Sequence, residues 1–303
     1  MENEMPITVD NDHSVGYETN NWLYVLRLPI IWMLAFWVAL KKIILGPKLK
    51  INTLWFDGLS PICRKVKENA TTWKALDIIY NYQPRRDKSL SGQITDFWNG
   101  LKNIKAVRNR LRLVKKLLRE KIQKFSKNEK QVRLVSIASG SAQGIIEIMK
   151  ELKQQGILLK AIFLDRDPIA IEHSKNLAKQ SGVVNQIIFI NRSAKELENA
   201  IKGFNPQIVE VTGLFEYRPD ENAINLLKRI YNLLVPGGIL LTSNISPNLE
   251  KNFSLWVGNW TMIYRTKEQL SKIILKAGFS PQNCKIIQEP LKTHNVVICE
   301  KNT

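Results

Sequence analysis

From Val132 to Gly144 the chain reads V-R-L-V-S-I-A-S-G-S-A-Q-G, a largely apolar, β-branched run that ends in a string of very small residues. The run 132–138 has the make-up of a strand buried on both faces. Beyond the small residues, Ile145, Ile146, Ile148, Met149 and Leu152 recur at helical spacing. The small residues therefore form a strand-to-helix turn. Side chains of that size let the backbone approach a ligand closely, and the start of the helix offers free N–H groups. That is the physical design of a nucleotide-type site at the end of a first parallel strand. Only Gly140 and Gly144 are glycines, so G-x-G-x-x-G is not satisfied and the turn needs support from the rest of the chain.

That support is an alternation of strand and helix patterns. Strands are expected at 158–165, 186–191, 207–212 and 239–244, with a closing pair near 285–288 and 295–300. Helices are expected at 144–155, 168–180, 195–201, 221–234 and 267–277, and the turn Pro236-Gly237-Gly238 opens the fifth strand. Upstream, residues 101–125 read as a long amphipathic helix, with Ile104, Val107, Leu111, Val114, Leu118, Ile122 and Phe125 at steps of three and four. Asp165 closes the second strand about 20 residues beyond the first turn, where a carboxylate accepts both hydroxyls of an adenosine ribose. A helix N-cap or a surface acid is the plainer role for it.

The N-terminal part is organised differently. Residues 1–21 are polar and acidic and are expected to be disordered. From Trp22 to Leu40 the only charge is Arg27, and Pro29 suits the first turn of a helix. About 20 apolar residues are needed to span a bilayer, so the segment 22–45 is borderline. Its tryptophans favour a membrane anchor, spanning or lying in the plane, over a core helix. The net charge of +18 is concentrated between Lys41 and Arg133, where 24 Lys and Arg face 7 Asp and Glu. Such a field attracts phosphate, in an anionic membrane surface or in nucleic acid. The basic faces of the 101–125 helix read either as ordinary solvated surface or as such a contact. Residues 46–100 read as short helices and loops, with Gln83-Pro84-Arg85-Arg86 in a loop. Three scattered cysteines and three scattered histidines argue against a disulfide framework and a metal site, and the cysteines suit a reducing compartment.

Taken together, Ala138-Ser139-Gly140-Ser141-Ala142, Asp165, Pro236-Gly237-Gly238 and the final strand pair resemble a class I S-adenosylmethionine-dependent methyltransferase. More narrowly, Ala106 to Arg110, Val211 to Tyr217 with Pro219-Asp220, and Arg265-Thr266 resemble the bacterial methyltransferase domain sometimes fused behind an α/β-hydrolase. The resemblance implies an α/β, Rossmann-like sheet of seven strands over residues 131–303, preceded by a basic helical region at 46–130 and the apolar anchor segment. It implies S-adenosyl-L-methionine as cofactor, held by Ala138, Ser139, Gly140, Ser141, Asp165, Arg166, Arg192, Ser193, Thr212 and Gly213. Methyl transfer is an in-line displacement at a sulfonium carbon, governed by alignment and desolvation, so no triad or metal is required. A base, where one is needed, is sought at Glu216 and Tyr217 just past the fourth strand; a helix-approach acid and a packed aromatic are their structural alternatives.

The chain departs from the family pattern at several points. Two usual glycines are Ala138 and Ala142, whose methyls are tolerable if φ stays negative. The acid that usually starts the motif is Ser136, and the acid expected after the third strand is Ser193 beside Arg192. Glu210-Val211-Thr212-Gly213 stands where an N-P-P-Y-type tetrapeptide would mark methylation of exocyclic amines. The reading that follows is a membrane-associated methyltransferase on the cytoplasmic face, peripheral or single-pass, acting on a lipid or lipophilic small molecule. An RNA methyltransferase and a non-catalytic scaffold are the alternatives.

Overall fold

The computed structural model describes residues 7–12, 16–20, 22–84 and 88–302. In chain order its strands and main helices are β1 (Thr8–Asn11), α1 (Leu28–Leu45), α2 (Pro61–Glu68), α3 (Trp73–Tyr80), α4 (Leu90–Asn99), α5 (Lys102–Ser126), β2 (Val132–Ile137), α6 (Gln143–Gln154), β3 (Leu159–Asp165), α7 (Pro168–Gln180), β4 (Ile187–Asn191), α8 (Leu197–Ala200), β5 (Ile208–Val211), α9 (Asp220–Leu233), β6 (Ile239–Ile245), α10 (Lys251–Trp256), α11 (Lys267–Lys276), β7 (Cys284–Gln288) and β8 (His294–Glu300). The strands form one sheet in the order β1-β7-β8-β6-β5-β2-β3-β4. Only β8 runs antiparallel, to both β6 and β7.

Successive residues of a strand point to opposite faces, and both faces here are covered. Val135 and Ile137 pack with Leu197, Leu226, Leu227, Ile273 and Ile274 on one side. Val132 and Leu134 pack with Leu118, Ile122, Ile146 and Met149 on the other. Helix α5 is thus part of the sheet's helical layer, across the boundary expected near residue 130. It lies close to α6 because Gly144 has no side chain: a Cβ there would come within 2.7 Å of Leu111 Cδ1.

Three expectations are corrected. The sheet has eight strands rather than seven, and the extra one comes from the acidic tail. Residues 8–11 pair in parallel with β7, Thr8 opposite Lys285 and Asn11 opposite Gln288. The tail then crosses α5, where Glu18 bonds Arg108 at 2.6 Å and Arg112 at 3.1 Å, and Asp12 bonds Lys116 at 2.8 Å. Its acids are ordered by the cations they neutralise; residues 1–6, 13–15 and 21 lie outside the described residues. The second correction follows from the first. Much of the α5 charge is not a free anion-binding face, since Arg119 and Lys115 also pair with Glu151 and Glu147 of α6 while remaining partly solvated. Third, Cys284 and Cys299, 15 residues apart, stand directly opposite each other on β7 and β8 and are bridged. Gln83 and Pro84 are irregular, as a loop should be; Arg85 and Arg86 lie outside the described residues.

Helix α1 has Pro29 in its first turn and is apolar all round. Leu28, Ile31, Ala35 and Val38 are buried against a small core of Phe56, Trp98, Phe253 and Val257. Trp98 and Phe253 stack at 5.0 Å between ring centres, with Phe56 edge-on to both. Lys42, also buried, donates to Asn259 Oδ1 at 2.6 Å, and Trp32 Nε1 donates to Leu249 O at 3.1 Å. The opposite side stays exposed, including Met33, Phe36, Ile43 and Ile44 at 66–74%.

Candidate functional site

At the end of β2 the chain turns tightly into α6. Ser139 N donates to Leu164 O at 3.2 Å and Ala142 N to Ser139 O at 2.8 Å. This closure requires φ of +55° at Ala138, +56° at Gly140 and +49° at Ala142. The condition that φ stay negative at the alanines is not met: both occupy the left-handed region, at about 1–2 kcal/mol each for an L residue. At Gly140 a side chain would bear the same left-handed strain as the two alanines and would also crowd Trp73, whose Cβ lies 3.0 Å from where a Cβ would sit.

Asp165, the last residue of β3, accepts the Gly140 N–H at 2.8 Å on Oδ2 and the Asp167 N–H at 2.9 Å on Oδ1. Each carboxylate oxygen retains accepting capacity after one bond. The N-cap of α7 is Asp167, which accepts from Ile169 N, so Asp165 is spared that role. Asp167 also accepts from Trp73 Nε1 at 2.7 Å. Burial works to raise the Asp167 carboxyl, but these donors more than offset it and hold it below the ordinary range.

These groups frame a cleft of about 550 Å³ at the C-terminal ends of β2 to β5. It is lined by Ala138, Ser139, Gly140, Ser141 and Asp165, and by Arg166, Arg192, Ser193, Thr212 and Gly213, so all ten residues expected at the cofactor meet there. Ser193 caps the turn 194–196 with Glu196 in a capping box, and Arg192 pairs with Glu196 at 2.8 Å. Their side chains are thus partly engaged. Two carboxylates flank β2 in the cleft, Asp165 on β3 and Glu210 on β5. Burial pushes the Glu210 carboxyl up, partly offset by the hydrogen bond from Ser136. The Ser139 hydroxyl is buried without a partner. A ribose diol, an ammonium group and a polar head match this donor and acceptor set, so S-adenosyl-L-methionine fits the residues present.

Glu216 is not in this cleft. With Tyr217, Arg110 and Gly213 it lines a smaller, mostly apolar cavity of about 70 Å³ that adjoins the first. Its Oε1 is 3.3 Å from Arg110 Nη1, both side chains being buried. Burial pushes the Glu216 carboxyl up despite Arg110. Tyr217 lines both spaces; its hydroxyl accepts from Trp260 Nε1 at 2.7 Å. Burial, and then the neighbouring Glu216, push its phenol well above the ordinary tyrosine range. Tyr217 is therefore a hydrogen-bond donor at neutral pH and not a base. The turn that carries both residues is fixed by Arg265, fully buried, which donates to Phe215 O at 2.7 Å and to Asn244 Oδ1 at 2.8 Å.

Sequence reasoning missed Trp73, Tyr80, Glu210 and His294 as members of these sites. Tyr80 and Trp73 arrive on α3 from outside the alternating region, and Tyr80 Oη accepts from Arg110 Nη2 at 3.0 Å. Their only signal was the aromatic content of 46–100. Glu210 had a positional signal, since it immediately precedes the strand end that was examined for an acceptor motif.

A family model described as "Putative methyltransferase" matches residues 45–294. None of the curated proteins matches the sequence. Among solved structures, the chain is similar to one described as a possible exported protein from Bordetella parapertussis, at 17% identity over 92% of this chain and 97% of that one, with a TM-score of 0.65. It is similar to the citrinin polyketide synthase CMeT domain, at 12% identity over 82% and 67% of the two chains, TM-score 0.54. It is also similar to the S-adenosylmethionine-dependent methyltransferase SibL in its apo form, at 14% identity over 80% and 70%, TM-score 0.50. At such identities the likeness is one of fold.

Proposed function

The chain belongs to this family of methyltransferases and has the class I fold, and from that premise we propose that it uses S-adenosyl-L-methionine to methylate a lipophilic small molecule at a membrane surface. The observation that carries the membrane part is the two-sided character of α1. One side is packed on the body from Leu28 to Lys42, and the other presents Met33, Phe36, Ile43 and Ile44 to solvent. Full burial of such a side chain is worth about 1.5–3 kcal/mol, so half-immersion of these four supplies on the order of 4 kcal/mol. Leu49, Leu54 and Trp55 extend the apolar surface, and Lys48 and Lys50 are exposed beside it. Lysines near an anionic leaflet add roughly 1 kcal/mol each, which favours the cytoplasmic side.

A helix packed along its length on the protein cannot be ringed by lipid, so the in-plane position is favoured over a span. Within the site, Asp165 takes the ribose, Glu210 the ammonium group, and the turn 138–142 lies against the amino-acid part. Glu216 is the proton acceptor and Tyr217 a donor at the reacting centre. A nucleic-acid substrate has less behind it, because Arg108, Lys115, Lys116 and Arg119, among the α5 cations that would grip phosphate, are paired internally.

The test is methyl transfer from labelled cofactor to total lipid extract and, separately, to total RNA. Label is expected in the lipid fraction. Label confined to RNA overturns the reading, and failure to bind the cofactor at all would make the protein a scaffold.

A further inference from the structure

The smaller cavity beside the cofactor cleft contains neither Asp165, Glu210 nor the turn 138–142, yet its walls are chemically specific. Ile79, Ile104, Val107, Ile245 and Met262 make it apolar. Among these walls sit four polar side chains with unused capacity, one of them Asn103 through its Oδ1. His294, 1% exposed, has neither ring nitrogen hydrogen-bonded; Glu216 Oε2 and Arg110 Nε are likewise buried without a partner. Leaving such groups dry and unpaired is costly, and a site that binds a polar ligand group recovers that cost. The cavity shares Leu76, Arg110, Gly213 and Tyr217 with the cofactor cleft. Its rim residues Ser254, Trp260 and Met262 belong to or follow α10, the helix on which α1 rests.

We infer that this cavity is the methyl-acceptor subsite, that it takes the hydroxyl-bearing end of a lipophilic molecule, and that His294 holds the hydroxyl. The inference rests on the methyltransferase reading and names its acceptor chemistry: an O–H group, giving an ether or ester product. The neutral imidazole of His294 donates its N–H to the acceptor oxygen. Burial, then the facing charge of Arg110, keep the ring uncharged. The groups around it are Arg110 from α5, Glu216 and Tyr217 beyond β5, and Glu289, whose carboxylate accepts the His294 backbone N–H at 3.2 Å. In the step, the acceptor O–H bond breaks and its proton passes to Glu216 Oε2. The oxygen's lone pair bonds the methyl carbon as the methyl–sulfur bond breaks, the electron pair remaining on sulfur. Arg110 Nε–H faces the charge that develops on oxygen, and Glu216 returns its proton to water on release. His294 thus touches the substrate, whereas Arg265 only positions the turn.

The chain has three histidines, so the imidazole signals of the full-length protein labelled at histidine can be resolved by NMR, with His294→Gln assigning its own. The probes are hexanol and chlorohexane, alike in shape but not in the hydroxyl. Hexanol is expected to shift the His294 signals saturably and chlorohexane to leave them nearly still; Met262→Trp, which fills the cavity, should abolish the hexanol shift. Equal shifts with both probes, no shift with either, or a shift that survives Met262→Trp would each overturn the inference. A parallel titration with S-adenosylhomocysteine separates the two readings: if it binds and the cavity ignores hexanol, only the acceptor assignment fails, whereas if it does not bind, the methyltransferase reading fails with it.

Discussion

Ser136 on β2 donates its hydroxyl to Glu210 Oε2 on β5 at 2.6 Å, and the parallel register sets the two residues side by side. On the proposed reading, the acid that class I enzymes usually carry at the position of Ser136 is supplied by Glu210, which lines the cleft from the neighbouring strand. Glu210→Gln keeps the hydrogen bond and removes the charge. S-adenosylhomocysteine affinity should fall about tenfold or more, since an interaction with a charged partner contributes about 1.5–3 kcal/mol. The free protein should behave oppositely. Glu210 has its carboxyl raised by burial, so its contribution to stability is present at low pH and is lost as pH rises through the folded value. The variant should match the wild type in acid and become the more stable as pH rises. Calorimetric titration and thermal melts across pH measure both.

The left-handed alanines make a stability prediction. Replacing Ala138 or Ala142 by Gly removes about 1–2 kcal/mol of backbone strain and adds about 0.4–1 kcal/mol of unfolded-state entropy. Each change should therefore stabilise by up to about 1 kcal/mol in urea titrations. Gly140→Ala, with φ positive and Trp73 in contact, should destabilise instead.

Glu18 joins the tail to α5. Burial raises its carboxyl, but Arg108 and then Arg112 outweigh this and hold it low. A depressed carboxyl stabilises above its unfolded value and stops doing so as pH falls through the folded one. Hydrogen exchange should show residues 7–12 and 16–20 losing protection in acid before strands β2 to β8 do. Glu18→Gln should loosen the tail in the same way at neutral pH, leaving Arg108 buried with a weaker partner at a cost of about 1–3 kcal/mol.

The two sides of α1 should separate in mutagenesis. Phe36→Glu with Ile44→Glu should abolish sedimentation with anionic vesicles and leave the melting temperature unchanged. Ile31→Asp places a charge in the core beside Phe253 and should lower the melting temperature sharply. Vesicle binding that survives the double change would remove α1 from the membrane contact.

The seven strands from Val132 onward were legible because each is a short apolar run bounded by turn residues, a signal carried entirely by neighbours in the sequence. Asp165 was legible by spacing. The remainder depends on partners far away in the chain. Thr8–Asn11 is a mostly exposed strand of polar residues, and only the edge of β7 makes it one. The substitution of Glu210 for the missing acid at Ser136 requires knowing which strands are adjacent. His294 is one of three unclustered histidines, and only the cavity around it distinguishes it. The α5 charges read as free because their acids lie on the tail and on α6.

The pairing of Thr8 with Lys285 joins the first strand to almost the last. During synthesis β1 has no edge to join until β7 has been made, so its loop closes late and at the greatest sequence separation in the sheet. Asp12 leaves β1 directly, its backbone N–H bonded to Gln288 O at 3.0 Å, so its contact with Lys116 at 2.8 Å follows from a strand that docks only once β7 exists. Completing the sheet and covering that one cation of α5 are a single event.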